Sequence, residues 1–173
     1  AFASTHELKP VCRSGGHSSA GFSINNSMVI DLSRINSVWV DRVTRRAIVG
    51  AGTSFHRLNA VLSDFGLHVP GGGCDDVCVG GYMQGGGYGF TSREFGMNCD
   101  NVVQFEMMLW NGGIVIADET TNSDLYWCVR GGMGSNFGVL LSITYQLHEV
   151  GEMYGFGLSW DAADAPAALL MLQ

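Results

Sequence analysis

The sequence predicts an α+β domain interrupted at both ends. Three observations carry that expectation. Short strand-like runs dominate the chain, and the clearest two read as a hairpin. One segment places apolar residues at helical spacing behind a capping residue. No alternating strand–helix–strand series accompanies the glycines, which argues against a Rossmann arrangement. A length of 173 residues fits one ordinary domain.

Taken in order, residues 9–13 read as a short strand running into a polar Gly-Gly loop, 28–32 as a second strand and 38–40 as a third. Ala47, Ile48 and Val49 end at Gly50-Ala51-Gly52, a strand followed by a turn. Thr53 or Ser54 can then cap a helix whose apolar residues are Phe55, Leu58, Val61 and Leu62, with Gly66 as its stop. Residues 67–70 look extended, and 77–79 enter a Gly-rich turn region that lasts to Gly89. Val103, Phe105, Met107 and Leu109 alternate with Gln104, Glu106 and Met108 as a half-buried strand. Asn111-Gly112 signals a hairpin to 114–116. A short helix over 123–127 is broken by the glycines from Gly131 to Gly134, and 139–147 form a long strand. A further strand is expected over 154–160 and a helix from Ala162 to the last residue, Gln173. That last helix is apolar and has no polar tail, and the first residue is Ala1 with no initiator Met, so both ends read as cuts.

Composition narrows the function classes. Hydrophobic residues make up 46%, enough for a core and too many for disorder. Charged residues are 14%, so much of the surface is expected to be covered by other protein. Nine basic against 16 acidic residues give a net charge of −7, which disfavours a nucleic-acid partner. No apolar run reaches membrane length. Five cysteines, an odd number, exclude a closed disulfide framework, and their spacing does not suit a structural metal site. The 25 glycines cluster between apolar runs, the pattern of backbone brought close to a ligand or another segment.

Three places could carry chemistry. Arg13-Ser14-Gly15-Gly16-His17-Ser18 follows a strand directly, so successive N–H groups could face one concavity and suit a pyrophosphate. His17 offers an imidazole ligand or nucleophile, although a lone loop histidine commonly has neither role. Cys74 follows three glycines where a planar ligand could approach; an inert thiol beside Asp75 and Asp76 fits equally well. Tyr88 lies between glycines too small to cover it, either as an acid, base or hydrogen-bond donor, or as a ring packed on a bare backbone.

Taken together, these motifs resemble a known family. Arg13 to Ser18 is followed by Gly73-Cys74 with Val77-Cys78-Val79-Gly80-Gly81. Gly85-Gly86-Gly87-Tyr88-Gly89 comes next, and then Asp100-Asn101-Val102. This order is similar to that of the berberine bridge enzyme-like flavoproteins, in the vanillyl-alcohol oxidase and p-cresol methylhydroxylase superfamily. Leu125-Tyr126-Trp127 and the stretch from Gly132 to Asn136-Phe137-Gly138-Val139 match the same family downstream.

The resemblance implies an FAD-binding domain over residues 1–150, lacking its N-terminal part, and the start of a substrate-binding domain over 151–173. It implies FAD bonded through His17 and, as in the bicovalent members, through Cys74. Arg13, Ser14, Gly15, Gly16 and Ser18 would hold the cofactor at the pyrophosphate, and Gly80, Gly81, Tyr82, Gly87, Asn101, Gly138 and Val139 would lie along it. Tyr88 matches a tyrosine that activates the substrate hydroxyl. Val77 matches a position that controls oxygen access, and valine there is the oxidase choice. Cys78 stands where glycine is frequent, and Tyr82 where histidine is frequent. The implied activity is oxidation of an alcohol or carbohydrate with O₂ as acceptor. An amine substrate, a flavin-binding module without turnover, and a structural domain without FAD are the alternatives. The remainder of its own chain is the implied partner, and the piece alone is expected to be inactive.

Overall fold

The computed structural model describes residues 2–134 and 136–172. A short helix α1 (Phe2–Thr5) precedes β1 (Pro10–Arg13), which pairs in parallel with β2 (Met28–Asp31). The chain then enters the main sheet through β3 (Val38–Asp41) and β4 (Arg46–Gly50) and leaves it for α2 (Phe55–Ser63) and β5 (Leu67–His68). Two short helices follow, α3 (Val79–Gln84) and α4 (Ser92–Phe95), before β6 (Val102–Met108), β7 (Ile114–Asp118) and α5 (Ser123–Val129). β8 (Val139–Gln146), β9 (His148–Glu149) and α6 (Ala165–Met171) complete the order.

The main sheet is antiparallel throughout, in the order β3-β4-β8-β6-β7. Side-chain alternation decides which face is covered. Ala47, Val49, Phe105, Met107, Ile143 and Tyr145 are fully or almost fully buried, whereas Trp39, Ile48, Ile114 and Ile116 stay exposed. The core also takes Phe55, Leu58 and Leu62 from α2, one stripe of that helix at helical spacing. Ser54 is the cap: its Oγ accepts from the Arg57 N–H at 3.3 Å, while Thr53 is buried with its hydroxyl on the Ser37 carbonyl.

Most expected elements are present, with three differences. The glycines after Cys78 do not all form turns. Val79–Gln84 is helical, because Val79, Met83 and Gln84 all face the interior and the turn waits until Gly85. The hairpin at Asn111-Gly112 uses a five-residue connection, 109–113, closed by the Leu109 N–H on the Gly113 carbonyl at 2.8 Å. Residues 154–160 are not a strand. Tyr154, Phe156, Leu158 and Trp160 are exposed, and among the described residues no strand pairs with the segment. The helix expected after Ala162 forms as α6; Gln173, with Ala1 and Ser135, lies outside the described residues.

β5 and β9 pair as a separate two-stranded antiparallel sheet. His68 pairs with His148 in the ladder, its Nε2 lies 2.9 Å from Thr91 Oγ1, and His148 stacks on Phe95 at 4.5 Å. Burial holds both imidazoles below the ordinary 6.5, His68 further because His148 is near, and Glu94 partly opposes the shift at His148. Both are therefore favoured neutral in the fold, so their contribution is complete above about pH 6.5 and is lost as pH falls through the lowered values. Thermal melts between about pH 7 and about pH 5 should show a falling midpoint, and a His68→Gln/His148→Gln variant a flatter profile. An equal slope in the variant would refute the assignment.

Candidate cofactor-binding site

The turn after β4 organises a cleft. The Ala51 carbonyl accepts from Ser14 Oγ at 2.6 Å and from the Gly80 N–H at 3.0 Å, so one oxygen ties the loop after β1 to the start of α3. Gly80 is required by that approach: a Cβ there would sit 2.6 Å from the Ala51 oxygen and 3.1 Å from Ser14 Oγ. Two further bonds fix α3's entry, Val79 N–H to the Thr53 carbonyl and Phe55 N–H to the Val77 carbonyl, both at 2.9 Å. Cys78 donates its thiol hydrogen to the Gly52 carbonyl at 3.4 Å.

The resulting cleft has a volume of about 430 Å³. Ser14, Gly15, Gly16, His17 and Ser18 form one wall. Val77, Cys78, Gly80, Gly81 and Tyr82 form the second, and Gly138 with Leu140 closes the base near Met133 and Gly134. Sequence reasoning missed Cys12, Phe22, Ser23, Leu32, Ala51, Gln84 and Gly85, which also line it. Only their neighbours carried a signal: Gln84 lies inside the glycine cluster, and Ala51 inside Gly50-Ala51-Gly52.

The structure therefore brings together Ser14–Ser18 of the loop, Val77, Gly80, Gly81, Tyr82 and Gly138, and sets six other candidates outside the lining. Arg13 ends β1 with its guanidinium beside Gly16. Cys74 is exposed on the loop before α3, and Tyr88 is 76% exposed on the loop after it. Gly87 packs where a Cβ would strike Tyr82 and Asn98. Val139 is buried in β8. Asn101 is engaged inside the fold: its amide donates to the Phe95 and Met97 carbonyls, at 3.0 and 2.8 Å, and its oxygen meets His148 Nε2.

Both titratable groups on the α3 wall are held neutral. Burial pushes the Cys78 thiol up, the Ser14 hydroxyl beside it opposes the shift, and Asp76 adds to it. Burial also raises the Tyr82 phenol, whose hydroxyl donates to the Tyr88 carbonyl and whose ring meets Phe55 edge-on at 4.8 Å. Tyr82 thus braces the segment that carries Tyr88.

Three observations show that these residues fit a dinucleotide. The N–H groups of Gly15, Gly16 and His17 find no protein acceptor among the described residues, and they lie on the cleft wall. Such consecutive donors suit a phosphate. A Cβ on Gly81 would meet nothing within 4 Å, so this stretch of α3 offers a bare platform. Gln84 Oε1 is buried without a hydrogen-bond partner beside the cleft.

Comparisons with known proteins agree with this geometry. The family described as FAD binding domain matches residues 1–118. Berberine bridge enzyme-like 3 of Arabidopsis thaliana is 35% identical over 147 residues, 82% of this chain and 27% of that protein. The crystal structure of 6-hydroxy-D-nicotine oxidase from Arthrobacter nicotinovorans superposes with a TM-score of 0.83 at 32% identity, covering 86% of this chain and 33% of that one. Xylooligosaccharide oxidase from Myceliophthora thermophila, solved with xylobiose, gives 0.82 at 34% identity, covering 85% and 32%. The chain thus spans about a third of the length of these relatives. Its motifs, its fold and these likenesses place the chain among the berberine bridge enzyme-like, FAD-linked oxidoreductases, as part of an FAD-binding domain of the vanillyl-alcohol oxidase and p-cresol methylhydroxylase type.

Proposed function

We propose that the protein is an FAD-dependent oxidase acting on an alcohol or carbohydrate, with the flavin held covalently through His17 and Cys74. The observation that carries this reading is the convergence of His17, the free N–H groups beside it and Val77 on one glycine-lined cleft. In this reading Gly15, Gly16 and His17 bind the pyrophosphate through backbone donors, and Gly80 and Gly81 let it lie against α3. The His17 imidazole and the Cys74 thiol, exposed on its loop, would be the points at which the flavin is held covalently. Tyr88 would help to activate the substrate hydroxyl, and Val77 would leave O₂ a path. Bound FAD would supply the redox step, accepting hydride at N5 from the carbon that bears the hydroxyl and passing the electrons to O₂ as hydrogen peroxide.

Residues 1–150 belong to the cofactor domain in this reading, and 151–173 begin the substrate domain. The likeness to xylooligosaccharide oxidase favours a sugar. The equally close likeness to 6-hydroxy-D-nicotine oxidase supports an amine as the second reading.

The test is peptide mapping of the full-length protein, with peroxide release measured on oligosaccharides and on cyclic amines. Flavin mass on both the His17 and Cys74 peptides, with peroxide formed from sugars, is the expected result. Flavin on His17 alone would limit Cys74 to packing, and peroxide from amines only would install the second reading. Colourless protein with no flavin on either peptide would end the proposal.

A further inference from the structure

We infer that Tyr82 is a positioning residue: its hydroxyl is spent on the Tyr88 main chain, not on FAD, and it acts on the reaction through Tyr88. This rests on the proposed reading of the cleft as the FAD site and of Tyr88 as the group that helps to activate the substrate. Tyr82 is half-buried on the cleft wall, within α3. Its ring is packed from three sides. Phe55 meets it edge-on at 4.8 Å, a Cβ on Gly72 would lie 3.1 Å from its Cε2, and a Cβ on Gly87 would lie 2.5 Å from its Cε1. Held in this way, the hydroxyl donates to the Tyr88 carbonyl. A phenol has one hydrogen to donate, so none is left for an acceptor on FAD. Burial also raises this phenol, which keeps that hydrogen in place at neutral and mildly alkaline pH.

Tyr88 needs such a hold. It lies in Gly85–Gly89, whose other four residues are glycines, and Gly86 and Gly87 have φ of +96° and +79°. Its own ring is 76% exposed and anchors it weakly. The segment is fastened before and after Tyr88: the Asn98 N–H donates to the Gly87 carbonyl at 2.8 Å, and the Gly89 N–H donates to Ser92 Oγ at 2.9 Å. The Tyr88 carbonyl itself accepts from Tyr82 and from no other group among the described residues. Phenylalanine could fill the same space between Gly72 and Gly87 but would leave that carbonyl without its donor. A residue flanked by glycines then regains main-chain freedom, and a small displacement of a reacting group costs more rate than one hydrogen bond is worth in stability.

The experiment compares the flavin-loaded, full-length protein with Tyr82→Phe, Tyr88→Phe and the double variant. Amide hydrogen exchange is read at Gly89. Anaerobic flavin bleaching is followed with whichever oligosaccharide or cyclic amine the wild type oxidises. Tyr82→Phe should keep its flavin and speed exchange at Gly89 by about fivefold or more, with α2 and β8 unchanged. It should slow bleaching at saturating reductant by about tenfold. In the Tyr88→Phe background the same change should slow bleaching by less than about twofold, because the residue through which it acts is already gone. A loss that persists in full in that background would put Tyr82 in direct contact with flavin or substrate and overturn the inference. Unchanged exchange at Gly89 would overturn it as well, and so would faster exchange spread through α2 and β8, which would leave Tyr82 a core brace. If Tyr88→Phe bleaches at the wild-type rate, or no reductant bleaches the wild type, the proposed role of Tyr88 falls and takes the kinetic half of the inference with it. Exchange at Gly89 then decides the positional half. Wild-type protein without flavin would sink the FAD reading instead, and the same exchange comparison on flavin-free protein would decide whether Tyr82 holds the segment.

Discussion

Gly52→Ala is expected to destabilise the fold by roughly 3 kcal/mol or more, at the upper end of what overpacking does. A Cβ at this position would lie 2.0 Å from the Leu32 carbonyl oxygen and 2.7 Å from its carbon. Neither side can retreat. The Leu32 carbonyl accepts from the Ile35 N–H at 2.8 Å, and the Leu32 N–H continues the β1–β2 pairing by donating to the Arg13 carbonyl at 2.8 Å. Gly52 itself donates to the Ile35 carbonyl at 2.9 Å. Relief would have to break one of these bonds or lift the turn after β4. That turn carries the Ala51 oxygen, which holds Ser14 and Gly80, and the Gly52 oxygen, which holds Cys78. Lifting it would therefore open the cleft as well as weaken the core. Urea denaturation of the full-length protein and its flavin content should fall together; a variant with wild-type midpoint and full flavin would refute the account.

How far the sequence disclosed this arrangement depends on the range of the interactions. Elements with a local cause were readable: the stripe Phe55, Leu58, Leu62 behind Ser54, and the alternation along Val102–Met108. Elements whose cause is distant were not. Val79–Gln84 looks like a turn by composition, and only burial against the sheet and the segment of Asn98–Asn101 makes it a helix. Residues 154–160 alternate like a strand, yet a ladder needs a neighbour, which periodicity does not report. The site divides in the same way. The loop from Ser14 to Ser18 was legible because small residues in a row after a strand expose backbone N–H groups, whereas Val77, Gly80 and Gly81 were marked by the family resemblance. Leu32, Ala51, Gln84 and Leu140 come from four separate parts of the chain, and apart from the glycines beside Ala51 and Gln84 nothing local marks them as cleft residues. Asn101 carried a motif signal, but its side chain is bonded to the backbone around it and to His148.

Asn98→Ala should lower stability by roughly 2–5 kcal/mol, because it leaves two buried groups unpaired at once. Asn98 is fully buried; its Nδ2 donates to the Pro70 carbonyl at 2.7 Å and its Oδ1 accepts from the Tyr145 hydroxyl at 2.8 Å. Burial drives the Tyr145 phenol far upward, so that hydroxyl stays neutral and needs an acceptor. Tyr145→Phe removes one partner and leaves only the Asn98 oxygen unpaired, for roughly 1–3 kcal/mol. The double variant should be less destabilised than the sum of the two, since the pair acts as a unit. Asn98 also reaches the two loops on which the proposed chemistry depends. Pro70 opens the glycine run that leads to Cys74, and the Asn98 N–H donates to the Gly87 carbonyl, one residue before Tyr88, at 2.8 Å. Losing the side-chain bond to Pro70 loosens the loop that leads to Cys74, while the main-chain bond to Gly87 survives and His17 keeps its own anchor through Ser14 and Ala51. Peptide mapping of Asn98→Ala should accordingly show less flavin on the Cys74 peptide relative to the His17 peptide than in the wild type. An unchanged ratio, with a denaturation midpoint equal to that of the wild type, would mean that the Asn98 side chain does not couple the loop before Cys74 to the core.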